Sequence, residues 1–110
     1  MKAARMLTMG IALCGAALCS AADVAPAQKQ QVAIQNFAFE PKTLTVPVGT
    51  RVVWTNRDEE PHVVTSAGAQ FVSSKALDGG DSYGVTFSKA GTYTYYCSIH
   101  PMMVGTIIVK

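Results

Sequence analysis

From Gln31 onward, apolar residues recur at every second position in short runs broken by turn residues. Val32 and Ile34 alternate with polar neighbours, and so do Leu44, Val46 and Val48. A period of two puts alternate side chains on one face of a strand. Pro47-Val48-Gly49-Thr50 turns the chain, and Arg51-Val52-Val53-Trp54-Thr55 follows as a further strand. Asn56 to Pro61 is a charged loop, after which His62-Val63-Val64-Thr65 resumes extended structure. Ser82–Phe87, Thr92–Cys97 and Gly105–Val109 are rich in β-branched and aromatic residues, with Ala90-Gly91 as a turn between the first two. The segment Gly68–Gly80 carries little pattern and is expected as a loose excursion over the surface. No helical period of useful length occurs in this region. Some seven to eight short strands with regular turns predict a single all-β sandwich over residues 31–110.

The first thirty residues belong to a different class. Met1-Lys2-Ala3-Ala4-Arg5 is a basic start, Met6–Leu18 is mostly apolar, and small residues follow at Ser20, Ala21 and Ala22. That order predicts an export signal over 1–22, cleaved after Ala21 or Ala22. The apolar run is short for a bilayer span, so no stable membrane insertion is expected, with an uncleaved anchor as the plain alternative. A lipid anchor on Cys14 or Cys19 is the lesser alternative, since Leu13 and Leu18 precede them where a small residue is expected. Residues 23–30 read as a flexible leader with Pro26. The expected location is the periplasm.

The N-terminal reading changes the charge. The whole chain has 9 Lys/Arg against 7 Asp/Glu. Without Lys2 and Arg5 the two signs balance, and no basic run remains to track a phosphate backbone. Nucleic acid is therefore not an expected partner. Cys97 is then the one cysteine left, in a compartment where thiols normally pair. A metal would give it a role and protect it.

The chemistry concentrates in Tyr96-Cys97-Ser98-Ile99-His100-Pro101-Met102-Met103. A thiolate, an imidazole and a thioether fall within one turn between two strands. Soft sulfur selects Cu(I), imidazole serves both copper states, and His₂Cys with a weak axial Met is the electron-transfer arrangement. The second imidazole is available only from His62, because the chain has 2 His. The candidate ligands of one copper ion are thus His62, Cys97, His100 and Met103. Each has a plainer reading: a lone Cys is commonly a buried hydrophobe, and Met102 and Met103 could both be core. The plainer readings must all hold at once to remove the site. Phe37, Phe39, Trp54, Phe71, Phe87, Tyr93, Tyr95 and Tyr96 are expected as core or edge aromatics, and Asp58-Glu59-Glu60 as a solvated loop. Thr94-Tyr95-Tyr96-Cys97 also suits an immunoglobulin strand, but there the Cys needs a partner on another strand.

With these residues in view, the chain over about 31–110 resembles the cupredoxins, in particular their amicyanin, pseudoazurin and plastocyanin branch. The similarity rests on Cys97-x-x-His100-Pro101-x-Met103, on Trp54-Thr55-Asn56 followed by Pro61-His62, and on Gly91-Thr92-Tyr93 leading to the Cys. It implies a Greek-key sandwich. It also implies His62, Cys97 and His100 as equatorial ligands, Met103 as the axial one, and an exposed edge of His100 as the route of the electron. Pro101 and Met102 become an apolar rim for docking redox proteins such as a cytochrome c or a dehydrogenase. Two departures stand out. Val63 follows His62 where many members carry Asn or Ser, and Ser98-Ile99 lacks the proline of the amicyanin loop.

The expected function is that of a monomeric one-electron carrier rather than an enzyme, because a catalytic metal needs an open position and all ligands are used. Storage or delivery of copper is the alternative, supported by the neighbouring thioethers of Met102 and Met103. A metal-free binding sandwich is the third reading.

Overall fold

The computed structural model describes residues 28–110. The expected export signal over 1–22 lies outside them, as does all of the leader except its last three residues. Eight strands form two sheets: β1 (Lys29–Ile34), β2 (Phe39–Glu40), β3 (Thr43–Val46), β4 (Thr50–Asn56), β5 (Thr65–Ser66), β6 (Ser82–Phe87), β7 (Gly91–Cys97) and β8 (His100–Val109). The first strand thus includes Lys29 and Gln30, which pair with Arg51 and Val52. One sheet has the order β2-β1-β4-β6 and the other β3-β8-β7-β5. The pairs β1–β4 and β3–β8 are parallel, and the rest are antiparallel. Five of the seven connections cross from one sheet to the other. The chain therefore closes a sandwich instead of a flat meander.

The alternation seen in the sequence packs the interior. Val32 and Ile34 of β1, Val52 and Trp54 of β4, Tyr95 and Cys97 of β7, and Ile107 and Val109 of β8 are all buried in one cluster. Trp54 sits at its centre, edge-on to Tyr95 at 5.3 Å between ring centroids. In β8 the inward position opposite Tyr95 is Gly105. A Cβ there would lie 2.4 Å from the Tyr95 ring, so glycine makes room for the phenol.

Two regions differ from the pattern. Residues His62 to Val64 form no strand. His62 instead makes an isolated bridge to Leu77, and the regular strand is only Thr65–Ser66. The segment 68–80 is not a loose excursion. Leu77 is buried, the Ser74 amide donates to the Val64 carbonyl at 2.8 Å, and the Ser74 and Ser73 hydroxyls accept the Val64 and Ser66 amides at 2.9 Å each. Serine side chains supply the pairing that a strand ladder would otherwise give, which period-based reading does not detect.

Candidate metal centre

The centre lies at one end of the sandwich, where the β4–β5 and β7–β8 connections meet. Asn56 ends β4 on its inward face. Its amide donates to the carbonyls of Glu60 at 2.8 Å and Leu77 at 2.9 Å, and its oxygen accepts the Asp58 amide at 2.9 Å. Fully buried, it cross-links the loop that carries His62. The loop that carries Val63 is thus held by the Asn56 side chain. The Val63 amide has a further role: it donates to Cys97 Sγ at 3.3 Å, which ties the loop to β7.

Between β7 and β8 the register shifts. Tyr96 faces Val104 while Cys97 faces His100, so Pro101, Met102 and Met103 form an arch without partners. The arch turns Pro101 and Met102 outward and Met103 inward. Met102 is 86% exposed and Met103 2%.

The fold brings together three of the four expected ligands. Cys97 Sγ lies 3.9 Å from His62 Nδ1 and 3.7 Å from His100 Nδ1, and the two Nδ1 atoms are 3.2 Å apart. A triangle with those sides has its centre about 2.1 Å from each corner, against metal bonds of about 2.0–2.1 Å to imidazole and about 2.3 Å to thiolate. One ion fits between these atoms, and the mixture of two nitrogens with one soft sulfur suits copper. His62 and Cys97 are fully buried, and His100 is half-buried. Met103 belongs to the core cluster beside them.

Two residues outside the expected set shape the centre. Asp58 Oδ2 lies 2.9 Å from His62 Nε2. Burial pushes the Asp58 carboxyl up, but the amides of Phe37 and Asn36 together with His62 outweigh it and hold it below its usual value. A carboxylate only accepts, so Nε2 carries the hydrogen and Nδ1 of His62 presents its lone pair to the metal position. Asp58 is thus part of the site and not merely of a solvated loop; Glu59 and Glu60 do face solvent. Phe37 is not core either. It is 45% exposed and stands edge-on to both imidazoles, at 5.1 Å from His62 and 4.9 Å from His100. Its one sequence signal is a large aromatic between two polar turn residues and a second strand, too weak to assign a place.

The chain is similar in sequence and fold to known proteins. The family model of the cupredoxin-like domain matches residues 7–109. Amicyanin of Paracoccus denitrificans is 38% identical over 84 residues, which is 72% of this chain and 63% of that protein's length. Among solved structures, a purple cupredoxin from Nitrosopumilus maritimus is 35% identical with a TM-score of 0.69, covering 74% of this chain and 99% of its own. The Cu(I) form of an amicyanin variant is 36% identical with a TM-score of 0.70, covering 82% and 89%.

Proposed function

Because the chain belongs to the cupredoxin-like family, we propose that it carries single electrons on one copper ion held by His62, Cys97 and His100, with Met103 as the weak fourth ligand. The observation that carries this reading is the convergence of two Nδ1 atoms and one Sγ around a point at metal-bond distance from all three. Copper bound there would supply the Cu(I)/Cu(II) couple. The protein's own contribution is rigidity. Cys97 is fixed by β7, His100 by β8, and His62 by the Leu77 bridge and the Asn56 cross-links. Ligands that cannot move make the geometry nearly the same in both oxidation states, so little reorganisation accompanies transfer.

The half-buried His100 is the point nearest solvent among the three. Phe37 stands against its ring, and the chain on either side of it carries the exposed apolar residues Ile99, Met102 and Val104, with Pro101. Such a rim suits brief docking of another redox protein, with the electron passing through the imidazole edge. The 1–22 segment is read as an export signal and the mature domain as periplasmic; N-terminal sequencing of the exported protein tests this, and an intact Met1 refutes it.

The decisive experiment is the visible spectrum of the purified protein with Cu(II). An intense thiolate-to-copper band is expected, lost in Cys97→Ser, and weakened or displaced in His62→Ala. No such band in the wild type, or a His62→Ala variant with unchanged spectrum and affinity, overturns the assignment. The delivery alternative rests on the exposed thioether of Met102.

A further inference from the structure

The turn between β1 and β2 is strained at an unusual residue. Gln35 and Ala38 exchange both backbone hydrogen bonds, at 3.0 and 3.1 Å, which makes a two-residue hairpin. Its central residues Asn36 and Phe37 both have φ of +57°. That turn demands two left-handed residues and is normally filled by Asn-Gly. Asn36 conforms. Phe37 does not, because a bulky side chain at positive φ is disfavoured.

The strain has a counterpart across the site. Asp58 Oδ1 accepts the Asn36 amide at 2.8 Å, and Oδ2 accepts the Phe37 amide at 2.9 Å. The same Oδ2 accepts His62 Nε2–H at 2.9 Å. One carboxylate therefore binds the two amides of the strained turn and the outer nitrogen of a ligand imidazole. The turn it holds aims the Phe37 ring at both imidazoles. Strain that a structure maintains beside a site points to a use there.

We infer that Asp58 is a positioning residue with two linked effects: through His62 it sets the balance between Cu(II) and Cu(I), and through the Asn36–Phe37 turn it holds Phe37 as a cover over the two-histidine side of the centre. The first effect rests on the proposed copper site, whereas the second is a property of the folded chain. A carboxylate on the outer N–H makes the imidazole a stronger donor and places a negative charge near the metal, and both favour Cu(II). The aromatic cover excludes water and small reagents from the buried thiol behind the imidazoles.

Asp58→Asn and Phe37→Gly separate the two effects. Glycine removes the ring yet suits the positive φ, so the turn itself is relieved rather than broken. In metal-free protein, the rate of Cys97 modification by an aromatic disulfide reagent should rise about tenfold in both variants, the factor that losing two edge-to-face ring contacts allows. In copper-loaded protein, Asp58→Asn should raise the midpoint potential by about 59 mV or more, corresponding to about tenfold less preference for Cu(II). Phe37→Gly should not raise it, because admitting water favours the more highly charged state. Unchanged thiol rates in both variants overturn the cover. An unchanged potential in Asp58→Asn, or an equal rise in Phe37→Gly, overturns the electronic effect of the carboxylate. A wild type that binds no copper would refute the site reading alone, since the thiol measurement proceeds without metal.

Discussion

Gly105→Ala tests whether the centre is rigid because the core behind it is full. The added methyl would sit 2.4 Å from Cζ and from the hydroxyl of Tyr95, and 2.9 Å from Cε1. Carbon atoms in contact rest at about 3.5–4.0 Å, so ring or strand must move by about 1 Å or more. The ring has no free direction. It is fully buried, with Phe39 edge-on at 4.7 Å and Trp54 edge-on at 5.3 Å. Overpacking of this kind costs about 1–3 kcal/mol, and rigid neighbours on both sides argue for about 2–3 kcal/mol. In a domain of this size each kcal/mol lowers Tm by about 4–8 °C, so a fall of about 10–20 °C is expected. Thermal or urea unfolding of the metal-free protein, followed by the fluorescence of Trp54, measures it. Because β7 runs from Tyr95 directly to Cys97, the copper-loaded variant should also show a displaced thiolate band. In a Tyr95→Leu background the methyl meets no ring, and its cost should fall below about 0.5 kcal/mol. An equal cost in both backgrounds, or none in either, would refute the reasoning.

Three further outcomes are expected. Burial raises the Tyr95 phenol to about 12, and the Trp54 indole N–H beside it, lacking the geometry of a hydrogen bond, relieves this only in part. The unfolded chain loses that proton near pH 10, so this contribution is fully present below pH 10 and is lost as pH rises towards 12, roughly 3 kcal/mol in all. Chemical unfolding across that range should show the slope in wild type and a shallower one in Tyr95→Phe. Asn56→Ala leaves the Glu60 carbonyl and the Asp58 amide without this partner, while the Leu77 carbonyl keeps the His62 amide; a loss of about 2–4 kcal/mol in urea unfolding is expected, together with faster copper release to a chelator. Met103→Leu should keep copper but raise the midpoint potential, because a lost thioether donor disfavours Cu(II). Met102→Leu should leave spectrum and potential alone and slow exchange with a redox partner; the reverse pattern in voltammetry would exchange the roles of the two methionines.

The sequence by itself determined the sandwich and the candidate ligands of the proposed centre. Alternation at Val32/Ile34, Val52/Trp54 and Ile107/Val109 is a local property, because a strand's period fixes which side chains share a face. The Cys97-x-x-His100-x-x-Met103 spacing is local too, and with only 2 His in the chain the remote partner had to be His62. Tertiary structure alone decided what surrounds those ligands. Asp58 and Phe37 lie 21 residues apart in the chain, and neither carries a pattern of its own. Their roles exist only once the β1–β2 turn is folded against the loop before His62. The same holds for the 68–80 segment, whose serine hydroxyls and Leu77 replace a missing ladder. Side-chain hydrogen bonds between distant segments have no period along the chain. Their partners are set by where the sheets place them, so the candidate ligands could be read from the sequence while the groups packed around them could not.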